Sequence, residues 1–259
     1  MNLNIAGKSA IVCASSRGLG KACALALAKE GVNVWISGRT EDSLNEAAEE
    51  IAAAGGGEVT AIIADVTTDA GREALLTACP NPDIMINNAG GPPAGDFRDW
   101  SQADWFEVVN ANMYTAIDMI RRTLDGMIDR NFGRVVNITS SAVKQPIAEL
   151  GLSNGARSGL TGFVSGIARD PSRHNVTINN LLPGYFATGR MSAILGARAE
   201  QAGQPLEEFN ASFFDTIPAG RPGDPDEYGA VCAFLCSEQA AYITAQNILV
   251  DGGRYHGTY

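Results

Sequence analysis

The sequence predicts a single-domain α/β protein: one doubly wound sheet of seven parallel strands, flanked by helices. Three observations carry this. Short β-branched runs alternate with longer helical patterns from end to end. Most of these runs are continuously apolar, as parallel strands covered on both faces are. The first run also passes straight into a glycine-rich turn that opens a helix.

In order, the expected strands are Ser9–Ala14, Val32–Ser37, Val59–Ala64, Asp83–Asn88, Arg134–Thr139, Val176–Leu182 and Gln246–Val250. The expected helices are Gly18–Glu30, Glu41–Ala54, Asp69–Ala78, Ser101–Arg130, Ser153–Arg169 and Pro225–Cys236. Strand and helix repeated in this way require right-handed crossovers and two helical layers. Only Thr188–Pro218 interrupts the alternation. Met191, Ile194, Leu195, Phe209, Phe213 and Phe214 lie there among polar residues, which fits a mobile amphipathic lid over a pocket or a packed helical insertion.

Composition narrows the function. A chain of 259 residues fits one large α/β domain, and 45% apolar against 19% charged residues marks a folded chain. With a net charge of −10 and no run of Lys or Arg, a nucleic-acid partner is not expected. Cys13, Cys23, Cys79, Cys232 and Cys236 form no CxxC pair, and only His174 and His256 accompany them, so no metal site is expected. The apolar start runs directly into the glycine-rich turn rather than a cleavage site, and no apolar stretch reaches the ~18 residues of a membrane span. A reducing, cytoplasmic location is the expectation.

In doubly wound sheets, ligands bind at the carboxyl ends of the strands. The first such end reads Cys13-Ala14-Ser15-Ser16-Arg17-Gly18-Leu19-Gly20. Glycines let the backbone approach a pyrophosphate, and a helix N-terminus offers free N–H groups to it, so a dinucleotide-binding Rossmann fold is indicated. The second strand end chooses the dinucleotide. A carboxylate there would hold the ribose 2′-hydroxyl of NAD, but the chain has Ser37-Gly38-Arg39-Thr40. Arg39, with Arg17 facing it, offers planar forks to a 2′-phosphate, so NADP(H) is preferred over NAD(H).

The chain resembles the short-chain dehydrogenase/reductase family in its single-domain form, over essentially its whole length. Cys13–Gly20 is similar to the family's glycine-rich loop, with Cys13 and Ala14 for its first Thr-Gly. Asp65-Val66 resembles the adenine-contacting pair, and Asn87-Asn88-Ala89-Gly90 the Asn-Asn-Ala-Gly motif, of which Asn88, Ala89 and Gly90 are taken towards the cofactor. Asn112 falls at the structural and proton-relay asparagine. Pro183-Gly184 with Thr188 resembles the nicotinamide loop, and Asp251-Gly252-Gly253 the close of the last strand.

The expected chemical centre departs from this pattern. The resemblance puts the catalytic serine at Ser140 and the start of Tyr-x-x-x-Lys at Ser153-Asn154-Gly155-Ala156-Arg157, so Ser153 replaces tyrosine and Arg157 replaces lysine. A phenol titrates near pH 10 and can be lowered by a cation, whereas an alkyl hydroxyl is a far weaker acid. Arg157 keeps a positive charge and can hold ribose hydroxyls, but it supplies no proton. Loss of a general acid typically costs ~10²–10⁴-fold in rate. Tyr185, Lys144, Glu149 and a water in the space freed by Ser153 are the candidate replacements.

The resemblance implies an NADP(H)-dependent oxidoreductase interconverting a carbonyl and an alcohol, 3-oxoacyl reductase-like, with an atypical active site. A catalytically silent NADP(H)-binding sensor and a non-redox enzyme on the same scaffold are the alternatives. The halohydrin dehalogenases carry the arginine but keep the tyrosine and lack the dinucleotide loop, the reverse of this chain. The apolar lid suggests a fairly large, uncharged or acyl-like substrate. A homotetramer is implied, with a dimer also compatible; Gly155, Ala156, Gly159, Gly162 and Gly166 would let helices approach across a two-fold.

Overall fold

The computed structural model describes residues 2–258. Seven strands form one parallel sheet in the order β3-β2-β1-β4-β5-β6-β7. They are β1 (Ser9–Val12), β2 (Asn33–Gly38), β3 (Val59–Ile63), β4 (Ile84–Asn87), β5 (Gly133–Ile138), β6 (Val176–Pro183) and β7 (Asn247–Val250). Each falls on an expected run. The order reverses between β1 and β4, which opens a crevice beyond their carboxyl ends.

Helices α1 (Gly18–Lys29), α2 (Glu41–Ala53) and α9 (Pro225–Cys236) cover one face. There Leu27, Leu44, Ile51 and Tyr228 pack on Val12, Ile36 and Ile86. Helices α3 (Asp69–Ala78), α5 (Thr115–Asp129) and α6 (Gly151–Ile167) cover the other. There Leu75, Met119 and Val164 meet Ile11, Met85 and Val135. Successive strand residues thus serve opposite cores, which is why the strands read as unbroken apolar runs. All five cysteines are buried and unpaired.

One polar row crosses this interior. Asn87, Asn137, Asn180 and Asn247 lie opposite one another on β4 to β7. Their amides bond in series: Asn87 Nδ2 donates to Asn137 Oδ1 (2.9 Å), Asn137 Nδ2 to Asn180 Oδ1 (3.0 Å), and Asn180 Nδ2 to Asn247 Oδ1 (2.8 Å).

The expected helix Ser101–Arg130 is broken. Helix α4 (Gln102–Val109) begins at a Ser101–Asp104 capping box, and a π-turn over Asn110–Tyr114 separates it from α5. Asn110 Nδ2 donates to Thr67 O (2.9 Å), and Thr115 Oγ1 takes the Asn110 carbonyl (2.9 Å). These side-chain bonds support the extra residue of the π-turn, which turns Asn112 towards the crevice.

Thr188–Pro218 is helical. Helix α7 (Gly189–Ala202), capped by Thr188, buries Met191, Leu195 and Ala199. Helix α8 (Leu206–Phe214) has no fully buried residue and carries an aromatic cluster of Phe209, Phe213 and Phe214. Of the small residues expected to face a partner, Gly155 and Gly159 sit against Trp105 and Met113 of the same chain, and Ala156 lies in its interior. Only Gly162 and Gly166 face open space.

Candidate active site

The β1–α1 loop is fastened to β2 by two serines. Ser15 donates its N–H to Ser37 O (2.7 Å); its Oγ donates to Val12 O (2.6 Å) and accepts from Ser37 N–H (3.0 Å). Ser37 Oγ accepts from Ala14 N–H (3.0 Å). The sequence reading counts Cys13 and Ser15 among cofactor contacts, but both side chains are fully buried beneath the loop. Burial pushes the Cys13 thiol up to about 12, so it packs as an inert apolar group.

The loop's upper side is open. Ser16 packs against Gly38, while Arg17 is exposed and caps α1 with no side-chain bond. Helices α3, α4, α7 and α9 are capped by Thr68, Ser101, Thr188 and Asp224, so α1 is left with first-turn N–H groups that no cap satisfies. A Cβ on Gly20 would stand 2.6 Å from Ala14 O and 2.8 Å from Asn88 Nδ2. That close approach lets Asn88 donate to Ala14 O (3.0 Å), tying the end of β4 to the loop. Leu19 packs against the core behind it.

At the next strand ends, Arg39 is 73% exposed and its Nη1 lies 4.0 Å from Asp65 Oδ2. Asp65 Oδ1 accepts from Thr67 N–H and Oγ1–H (3.0 and 2.7 Å). Val66 O accepts from Arg72 Nη1 (3.1 Å), and Arg72 Nε donates to the buried Asp118 (2.7 Å). The turn bearing Asp65-Val66 is therefore anchored to α5.

Asn112 and Arg157 meet at one small cavity beside the ends of β4 and β5. Asn112 Nδ2 donates to Gly90 O (3.2 Å). Ser140 Oγ accepts from Ala142 N–H (3.1 Å), which leaves its own hydrogen to donate. Ser153 is buried on α6, and its Oγ has no protein partner among the described residues. The sequence reading has Arg157 reaching ribose hydroxyls; here its Nη1 donates to Ile138 O (2.8 Å) and Thr139 O (2.6 Å) at the end of β5. Burial pulls this guanidinium down to about 10, with Tyr228 opposing that shift and Arg190 adding to it. Asn87, Asn88, Ala89, Asn112 and Arg157 border a cavity of about 20 Å³, room for a single water. Asn87 Oδ1, Asn112 Oδ1 and Arg157 Nε are buried without a protein partner. Two acceptors and one donor match the bonding capacity of one water.

The far wall follows β6. A Cβ on Gly18 would stand 3.8 Å from Thr188 Cγ2, so the glycine loop and the Pro183–Thr188 loop face each other across the crevice. Arg190, absent from the sequence reading, donates to Gly91 O and Pro92 O (both 2.8 Å) and clasps α7 to the loop after β4. Its place just after Thr188-Gly189 was the available signal. A second cavity, of about 260 Å³, is bordered by Ser141, Pro146, Ile147, Glu149, Gly184, Tyr185, Arg198, Asp251 and Arg254. Tyr185 meets Phe213 edge-on at 4.8 Å, and the Arg254 guanidinium stands 4.6 Å from its ring centre. Lys144 Nζ lies 5.8 Å from the Tyr255 ring, and Glu149 is exposed at the rim.

This crevice, ringed by six strand ends and an uncapped helix, is the arrangement of a dinucleotide-dependent enzyme. The family model described as Enoyl-(Acyl carrier protein) reductase matches residues 13–255. A 3-oxoacyl-(acyl-carrier-protein) reductase FabG of Aquifex aeolicus (strain VF5) is 32% identical over 260 residues, covering 98% of this chain and 100% of the relative. Among solved structures, the L-sorbose reductase of Gluconobacter frateurii, complexed with NADPH and L-sorbose, superposes with a TM-score of 0.93 at 27% identity, covering 99% of this chain and 100% of that one. YwfH, an NADPH-dependent reductase involved in bacilysin biosynthesis, gives 0.88 at 29% identity over 96% and 99%. The chain belongs to the short-chain dehydrogenase/reductase family and is an oxidoreductase of that type. No helix among the described residues is long and apolar enough to cross a membrane.

Proposed function

We propose that this protein is an NADP(H)-dependent oxidoreductase that interconverts a carbonyl and an alcohol, with Ser153 and Arg157 standing where the family carries its tyrosine and lysine. The observation that carries this reading is the cofactor half: an uncapped α1 N-terminus beside the exposed Arg17 and Arg39, with no carboxylate at the end of β2. The uncapped N–H groups suit a pyrophosphate. Arg39 holds Asp65 only loosely, in an exposed pair at 4.0 Å, and can exchange it for a 2′-phosphate. Asn88, Ala89 and Gly90 on one side and Pro183, Gly184 and Thr188 on the other would flank the rest of the cofactor, whose nicotinamide supplies or accepts the hydride.

The chain's own residues then bind and polarise the substrate oxygen. Ser140 donates its free hydroxyl hydrogen to that oxygen. In place of the missing phenol, a solvent water hydrogen-bonded to Ser153 would deliver the proton to the reduced oxygen and draw its replacement from bulk water. Arg157, buried and charged, favours negative charge developing above it. Asn112, held to Gly90, fixes the floor beneath. Helices α7 and α8 form the lid, and the exposed Phe106 and Tyr114 with the open Gly162 and Gly166 suit assembly into a homotetramer.

The test is turnover of NADPH by the purified protein against a panel of ketones, oxo acids and oxoacyl thioesters, followed by absorbance. Oxidation of NADPH with formation of the alcohol supports the proposal. Tight NADPH binding with no turnover on any class would favour the silent sensor, for which the missing phenol argues.

A further inference from the structure

The second cavity carries a charge pattern that the fold does not use. Arg198, projecting from α7, and Arg254, following β7, border the same space as Gly184, Tyr185 and Ser141. Neither guanidinium has an ion-pair partner among the described residues, in a chain whose net charge is −10. Arg254 is held in place by Tyr185 at 4.6 Å and Phe213 at 5.4 Å. Lys144 adds a third cation beside Tyr255.

Two carboxylates also border the space. Asp251 is already engaged, with Oδ1 accepting from Gly253 N–H (3.0 Å) and Oδ2 from Tyr255 N–H (2.8 Å). Glu149 is exposed and pairs with neither arginine. The wall therefore offers two guanidinium groups that pair with neither bordering carboxylate, beside the apolar surfaces of Pro146, Ile147 and Tyr185. Partly desolvated arginines left unpaired at a cavity wall call for an anion.

We propose that the substrate carries a carboxylate, which Arg198 and Arg254 bind while its apolar body lies against Tyr185 and Ile147. This rests on the reading of the crevice as a reductase site and names its substrate class: small oxo or hydroxy acids rather than acyl groups masked as thioesters. An anion could also come from the phosphate of a pantetheine arm. That phosphate lies far from the thioester carbonyl, however, whereas one cavity of about 260 Å³ here spans from Ser141 and Gly184 to both arginines. A carboxylate on the reacting molecule fits this scale.

The experiment measures binding of benzoate, benzamide and 4′-phosphopantetheine by calorimetry, in the presence and absence of NADPH. Benzoate is expected to bind about tenfold or more tightly than benzamide. Arg198→Met and Arg254→Met should each remove most of that preference while leaving NADPH affinity and benzamide affinity unchanged. Arg198 makes no bond that the fold needs, so its variant stays informative even if Arg254→Met misfolds. Equal binding of benzoate and benzamide, or a preference that survives Arg198→Met, overturns the inference, as does arginine-dependent binding of phosphopantetheine in place of benzoate. Arginine-dependent benzoate binding by a protein that fails to bind NADPH would uphold the carboxylate site and reject the reductase reading, so the two fail separately.

Discussion

Asp118 is the hub of a buried ion network, and its removal should be felt both in stability and at the cofactor site. It is 1% exposed, accepts from Arg72 Nε (2.7 Å) and Arg121 Nη2 (2.7 Å), and forms an ion pair with Arg122, whose Nε lies 2.8 Å away. Arg72 is itself 5% exposed, so Asp118→Asn leaves a buried cation with only the exposed Asp69, at 3.6 Å, as counter-charge. Breaking such a pair costs about 3–5 kcal/mol. At ~2–4 °C per kcal/mol for a chain near this size, the melting temperature should fall by about 6–20 °C. Replacing the pair with apolar groups, Arg72→Met with Asp118→Leu, should recover most of that loss, because it also removes the desolvation cost.

The pH dependence follows from the same geometry. Burial alone would raise the Asp118 carboxyl, but the guanidinium groups of Arg121 and Arg72, with Arg122, hold it below the usual carboxylate range. Its folded pKa is thus below the unfolded value of about 3.9, so its contribution is complete above that value and is lost as pH falls through the folded one. The gap between wild type and Asp118→Asn should therefore close on acidification, as read by calorimetric melting from neutral pH downward. A gap that stays constant into strong acid, or a single variant as stable as wild type, would refute the reasoning. Because Arg72 also holds Val66 O (3.1 Å), NADPH affinity should fall in the single variant as the Asp65-Val66 turn loosens.

Two further predictions concern the crevice. Ala14 has φ +46°, where an L-residue pays roughly 1–2 kcal/mol, so Ala14→Gly should raise stability by about 0.5–1 kcal/mol after the added freedom of the unfolded chain is offset; a lower melting temperature would contradict this. Ser153→Tyr with Arg157→Lys should raise turnover of simple ketones by up to ~10²-fold by restoring a phenolic acid beside a cation. Unchanged turnover with NADPH still bound would mean that the surrounding walls, not the missing phenol, limit the chemistry.

The sheet was legible in the sequence because a parallel strand covered on both faces writes itself as a local apolar run, and the Ala14–Gly20 turn as local glycine spacing. The Asn110–Tyr114 π-turn was not. Apolar periodicity continues through it, and the bonds that support it reach back to Thr67 and across to Thr115. Asn112 and Arg157 border one small cavity, as their places in the sequence suggested. The direction of Arg157 was hidden, because it depends on the carbonyls of Ile138 and Thr139 on a neighbouring strand. Ser15 reads as an open loop hydroxyl until Ser37 is placed beside it. Arg198 and Arg254 come together only through the packing of α7 near the tail after β7, a contact that no spacing rule encodes.

The central claim is that the ends of β1 and β2 build a site for a 2′-phosphorylated dinucleotide. Calorimetric titration of NADPH and NADH into wild type and Arg39→Ala tests it most directly. Wild type should bind NADPH more tightly than NADH, and Arg39→Ala should weaken NADPH about tenfold or more while leaving NADH nearly unchanged. Equal losses for both dinucleotides, or tighter binding of NADH by wild type, would contradict it.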